Sequence, residues 1–217
     1  VPDSQAAEAP RDCDLCQRLV AYRRDNRRKQ PHWFNGAVPS FGDPDARLMV
    51  VGLAPGVSGA NRTGRPFTGD HAGALLYATL SAHGFANGAF DARPDDGLVL
   101  RDCIVTNAVR CVPPQNKPVG SEIAACRRFL AARIAATPRA RVIVALGRIA
   151  HESVVRALGA RPTAAPFAHG AEAAVGGLTI LASYHCSRYN TNTGRLTPGM
   201  FDAVFAAARR RLDADRT

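Results

Sequence analysis

Lysine is nearly missing from this sequence: among 28 Lys and Arg residues only Lys29 and Lys117 are lysines, so a net charge of +10 rests almost wholly on arginine. Few amines are left for Schiff-base chemistry, while guanidinium forks suit phosphate oxygens and favour a polyanionic partner. No uninterrupted apolar stretch approaches the roughly 18 residues of a membrane span. The polar start Val1-Pro-Asp-Ser-Gln-Ala-Ala-Glu has no basic-then-apolar signal design. A cytoplasmic, bacterial-type location without a membrane partner is the expectation. Internal repeats and low-complexity segments are absent beyond an Ala/Arg bias. Six cysteines are present, but their uneven spacing in a chain of this type points to a metal or cluster site before disulfides.

The 217 residues, 46% hydrophobic and 21% charged, suit one folded domain at roughly 100–200 residues per domain. Residues 1–10 read as a loose tail and 11–217 as the domain. Buried strands are expected at 47–52, 102–109, 141–146 and 178–183. Helices are expected at 72–83, 122–136, 148–158 and 198–212, with another opening at the 13–16 cysteine pair and running to Lys29. This alternation implies an α/β chain whose parallel sheet is covered on both faces. Reactive groups then belong beyond the carboxyl ends of the strands, in the loops after Gly52, Asn107 and Ser183.

The loop from Gly52 to Asp70 fails the phosphate-binding templates, with neither a registered G-x-G-x-x-G nor a G-K-[ST]. It offers instead Arg62 and Arg65 as cations, Phe67 as an aromatic face and Asp70 as a carboxylate; a plain surface loop is the alternative. His185 at the last strand's exit is placed to donate to a developing anion, or merely anchors its loop. Cys186 invites a thiol nucleophile, yet neighbouring side chains at a strand end diverge. Cys13-x2-Cys16 and Cys111-x14-Cys126 can gather four thiolates around a cluster or zinc, although the second pair is too wide for a zinc ribbon. The alternative is separate buried thiols, which is the reading for Cys103. His32, His71, His83, His151 and His169 read as surface or capping residues.

Five segments occur in order: Gly52-Leu-Ala-Pro-Gly56, Asn61-Arg-Thr-Gly-Arg-Pro-Phe-Thr-Gly-Asp70, Val109-Arg-Cys-Val-Pro-Pro-Gln-Asn-Lys-Pro118, Val144-Ala-Leu-Gly-Arg-Ile-Ala150, and Ser183-Tyr-His185 through Asn190-Thr-Asn-Thr-Gly-Arg-Leu-Thr197. Together they resemble the uracil-DNA glycosylase superfamily, in its iron-sulfur type-B branch, family 5. The resemblance implies a three-layer αβα sandwich with a central four-stranded parallel sheet. It also implies a 4Fe-4S cluster on Cys13, Cys16, Cys111 and Cys126, with Arg23, Arg24, Arg27 and Arg28 as a basic surface beside it.

The implied activity is monofunctional removal of uracil from DNA by base flipping, which initiates base excision repair. In that reading Gly52, Ala54 and Gly56 belong to the base site and Phe67 stacks on the flipped base. Asn107 accepts from uracil N3-H and donates to O4, His185 donates to the anion at O2, and Asp70 steadies the sugar cation or orients water. Ser187, Arg188, Asn61, Arg62 and Arg195 contact the DNA backbone and Tyr189 fills the gap left by the base. Leu53 and Ala54 stand where many relatives carry a water-positioning acid or amide, and Gly56 where some uracil-only enzymes place a tyrosine. Asn107 stands where some type-B members have a small apolar residue. The expected partner is uracil-containing DNA, the expected state a nucleoid-associated monomer. The alternative is a non-catalytic iron-sulfur DNA-binding protein of the same fold.

Overall fold

Leu48-Met-Val-Val-Gly52 (β2, Leu48–Gly52) is buried at every position, as a strand covered on both faces must be. Its side chains alternate, Leu48 and Val50 packing into one apolar layer and Met49 and Val51 into the other. The structure is a computed structural model describing residues 7–214. β2 lies between β5 (Cys103–Asn107) and β6 (Val142–Leu146), and β6 pairs with β8 (Leu178–Ser183), all parallel. α3 (His71–Ala82) and α7 (Pro198–Ala214) cover one face through Leu76, Leu80, Phe201 and Phe205. α4 (Gly120–Ala135) and α5 (Arg148–Ala157) cover the other through Leu130 and Val154.

The parallel centre is the four strands expected, but the sheet is mixed and has six, in the order β1-β5-β2-β6-β8-β7. β1 (Phe41–Gly42) runs antiparallel to β5, and β7 (Glu172–Val175) antiparallel to β8. Two residues leave no periodicity to read in β1. The sequence signal for β7 is the Gly176-Gly177 pair after it, both with left-handed φ, 59° and 79°, as a two-residue primed hairpin turn requires. β3 (Ala86–Asn87) and β4 (Val99–Leu100) form a separate ribbon. Short helices α2 (Ala60–Thr63) and α6 (Arg188–Asn192) lie inside the two long loops. α1 (Gln17–Lys29) starts one residue after Cys16, its N-cap.

Part of the expected loose tail is packed. Residues 1–6 lie outside those described, but Ala7 and Ala9 are buried. Glu8 bridges the buried Arg110 at 2.9 Å and Arg133 at 2.8 Å. Buried guanidinium groups require such a counter-charge, and it pins the segment.

At the carboxyl edge Gly52 sits beside Asn107 and Leu146 beside Ser183, so the three long loops open on one side. Arg65, expected to face phosphate, is instead buried. It holds the Gly52–Asp70 loop by a forked pair with Asp96 at 2.8 and 2.7 Å, among the rings of Phe41, Tyr77 and Phe90. Removing one partner of a buried pair strands the other, so Asp96→Ala should cost about 3–5 kcal/mol. Chemical denaturation measures this, and an unshifted midpoint would show that the pair is not what holds the loop.

Candidate active site

A cavity of about 580 Å³ opens at this edge, lined by Ala54, Gly56, Phe67, Asp70, Asn107 and His185, with Asn116, Ser187 and Arg188 among its further walls. Gly52 does not line it but makes it: a Cβ there would stand 2.5 Å from Asn107 Oδ1 and closer still to Phe67 Cζ. Phe67 has a left-handed φ of 52°, a strained state for a bulky residue that tends to mark functional sites. Its neighbours impose it. Tyr77 donates to the Pro66 carbonyl at 2.6 Å and Thr63 to that of Thr68 at 3.1 Å, while a Cβ at Gly73 would collide with the Phe67 carbonyl. The Phe67 ring lies nearly parallel to the His185 imidazole, with centroids 6.0 Å apart.

Asn107 is 3% exposed, and among the described residues nothing donates to its Oδ1. A buried acceptor left unpaired costs stability, and one beside a cavity invites a donor from a ligand. Asp70 caps α3 by accepting from Gly73 N at 3.3 Å, and burial pushes its carboxyl above the usual range. Burial also pushes the His185 imidazole down to about 4, so the ring is neutral at physiological pH, with one nitrogen a donor. Asn116, to which no role was assigned from sequence, lines the cavity from a loop where it and Gln115 both adopt left-handed φ, 57° and 55°. Asparagine's tolerance of that conformation after Pro113-Pro114 was the available signal. Lys117, next in that loop, does not line the cavity.

The proposed DNA-facing residues divide. Tyr189 is 72% exposed, the most exposed large hydrophobic side chain among those described. Ser187 caps α6, accepting from Asn190 N at 3.4 Å. Arg62 is exposed, donates to the carbonyl of the cavity-lining Ser58 at 2.9 Å, and itself lines a separate groove with Phe34 and Arg93. Arg195 stacks over Tyr184 at 4.7 Å and lines an adjoining groove with Arg148 and His185. Asn61 is fully buried, its amide donating to Asn35 Oδ1 at 3.0 Å, and cannot reach a DNA backbone. Cys186 is also buried, its thiol pushed up to about 12 and directed to the Ala72 carbonyl, which removes it as a nucleophile.

Cys13, Cys16, Cys111 and Cys126 line a second, small cavity with Leu19, Val109 and Phe129. Among the described residues, no three His, Cys, Asp or Glu side chains converge to hold a single metal ion; the four thiols surround a space. Burial pushes Cys111 up to about 12 and Cys126 to about 11. Arg23, expected on the basic surface, is buried here: it reaches Cys111 Sγ at 3.5 Å and the Cys13 carbonyl at 2.9 Å. The Arg110 backbone N–H donates to Cys126 Sγ at 3.2 Å. Soft donors with N–H groups aimed at sulfur fit an iron-sulfur cluster. Arg24 and Arg28 do remain exposed.

The model of the Uracil DNA glycosylase superfamily matches residues 39–209. The chain belongs to this superfamily. A "Type-5 uracil-DNA glycosylase" of Thermus thermophilus is 48% identical over 205 residues, covering 91% of this chain and 93% of that protein. Another of the same description, from Pyrobaculum aerophilum, is 43% identical over 94% of this chain and 89% of its own. A "Type-4 uracil-DNA glycosylase" of Pyrobaculum aerophilum is 34% identical over 71% of this chain and 65% of its own length. In this superfamily member the first motif supplies Leu53, Ala54, Pro55 and Gly56 to the cavity wall, none of them an acid or amide, and a Cβ at Gly56 would come within 3.3 Å of Asp70 Oδ2.

Two outcomes follow from the geometry. Gly52→Ala should displace Phe67 and Asn107 and abolish ligand capture with little unfolding, which melting and binding measured together would show. A His185 pKa lower in the folded than the unfolded state means that the unfolded chain binds the extra proton first. Stability is therefore full above about 6.5, the ordinary histidine value, and falls as pH drops toward 4. His185→Gln should flatten that slope in thermal melts, and an unchanged slope would exclude a buried neutral imidazole.

Proposed function

We propose that this chain is a monofunctional uracil-DNA glycosylase that hydrolyses the N-glycosidic bond of uracil in DNA and so initiates base excision repair. The observation that carries the reading is the buried, unpartnered Asn107 Oδ1 beside the Phe67-lined cavity, a geometry suited to a flat base that offers a ring N–H. The names of its relatives point the same way. Uracil presents N3–H to Oδ1 and O4 to the amide NH2; cytosine reverses both, so the amide discriminates. Inside a duplex the base is out of reach, hence flipping, with Tyr189 filling the gap.

When the C1′–N1 bond breaks, its electron pair leaves with uracil and the negative charge spreads to O2. His185, neutral and fixed, donates a hydrogen bond there. Water adds at C1′ and yields an abasic site, its proton passing toward the Asp70 carboxylate or solvent. Lys29 pairs with Asp25 on α1 at 2.6 Å and Lys117 is off the cavity wall, in keeping with hydrolysis and no strand cleavage. The products are free uracil and intact abasic DNA.

The same reading puts a 4Fe-4S cluster on Cys13, Cys16, Cys111 and Cys126, where it ties the start of α1 to the β5–α4 segment. Glycosidic hydrolysis moves no electrons between substrate and cluster, so the group's part is to hold that surface. A monomer working at the nucleoid in the cytoplasm completes the proposal.

Single-turnover base release from oligonucleotides carrying U opposite G, U opposite A, T opposite G, or hypoxanthine, before and after alkali, tests it. Uracil release with strands cut only after alkali is expected; silence on every substrate from cluster-loaded protein would leave a non-catalytic DNA-binding module. His185→Ala should slow release by roughly 10²–10³ with DNA binding little changed, and equal losses of both would remove its assigned role. Asn107→Asp should shift base preference away from uracil. Cys126→Ala should lose iron and its visible absorbance, whereas full iron content would refute the ligand set.

A further inference from the structure

The loop that brings Asn116 to the cavity holds two consecutive non-glycine residues in left-handed conformation, Gln115 and Asn116. Each such residue costs on the order of 1–2 kcal/mol, so the pair persists only if both ends are held. The N-terminal end holds itself: Pro113 and Pro114 have fixed φ, and their carbonyls accept from Asn116 N and Lys117 N at 3.1 Å each. The C-terminal end is held from another part of the chain. Arg18, two residues past Cys16, donates through Nε and Nη2 to the two oxygens of Glu122 at 2.7 Å each, and Nη2 also reaches the Lys117 carbonyl at 3.1 Å. Glu122 Oε2 in turn accepts from Val119 N at 2.9 Å. The Glu122 side chain is 5% exposed and that of Arg18 42%, so the pair is two-pronged, shielded on its carboxylate side and open to solvent on the other.

We propose that Arg18, acting with Glu122, is a positioning residue for base excision. It clamps the end of the 113–118 loop so that Asn116 stays at the cavity wall, and couples the order of that wall to the cysteine-bearing N-terminal segment. Arg18 itself does not line the cavity. The clamp rests on the excision reading for its consequence, but not for its geometry. Fixing Cys13 and Cys16 fixes the start of α1, hence Arg18, hence the loop; releasing them frees all three.

The test uses cluster-loaded protein with four variants: Arg18→Ala, Asn116→Ala, the double variant, and Glu122→Gln as a milder break should Arg18→Ala fail to fold. Arg18→Ala should slow single-turnover uracil release about tenfold, as a misplaced site group does, with iron content unchanged and affinity for abasic product DNA within about twofold. Amide exchange at 115–119 should quicken about tenfold. In the Asn116→Ala background Arg18→Ala should add almost nothing, because both act through one side chain. Independent, multiplying losses, iron lost in step with rate, or unchanged exchange would each overturn the proposal. If the wild type releases no uracil, the excision reading fails by itself, and exchange still decides the clamp: faster in Arg18→Ala supports it, unchanged refutes it.

Discussion

The pairing of Gly52 with Asn107 at the ends of β2 and β5 is the constraint on which the site depends. Parallel register puts the last residue of one strand beside the last of the next. Because the first has no side chain, a ring and an amide occupy the same small volume. Phe67 and Asn107 thereby acquire fixed positions without any hydrogen bond between them. The cavity beyond them is a consequence of that vacancy as much as of the loops above it.

Around this centre the molecule keeps several groups in states that a free chain rarely adopts. Phe67, Gln115 and Asn116 have left-handed backbones, Asn107 an unpaired acceptor, and His185 an imidazole stripped of its proton by burial. Each is enforced by rigid contacts nearby. The Arg65–Asp96 fork secures the loop carrying Phe67. The Arg18–Glu122 fork secures that carrying Asn116, and Glu8 neutralises the arginines beneath the cysteine segment. A catalyst acting by fixed donors needs such preorganisation, since a group free to relax into water would lose its advantage at the moment of bond breaking. Arginine does this work inside the protein as well as toward DNA, so the charge excess overstates the DNA-facing surface.

Much of the fold was legible along the chain because local pattern decides it. Strand β8 was expected where it lies and the other parallel strands within two residues at either end, since runs such as Val142-Ile-Val-Ala-Leu146 are apolar on both faces. Edge strands escaped because β1 is two residues long and β7 alternates only weakly, its burial running from exposed to buried. Asn107 and His185 were identifiable at strand ends and Asp70 at the end of the loop after Gly52, and the structure brings them to one cavity. Asn61, Arg23 and Arg65 face inward against expectation for one reason: a polar side chain suggests solvent, and nothing local reveals a partner such as Asn35, Cys111 or Asp96 far along the chain.

By itself the sequence determined the alternation of strands and helices, which depends on periodicity and residue type, properties of short stretches, and through its ordered motifs the family. Tertiary structure alone decided which polar side chains face the cavity and which are consumed in the interior. It also decided that Asn116 belongs to the site and that Glu8 belongs to the core. Those outcomes depend on contacts between residues about 100 positions apart, such as Arg18 with Glu122 and Glu8 with Arg110. The burial that gives such contacts their strength exists only once the layers have closed.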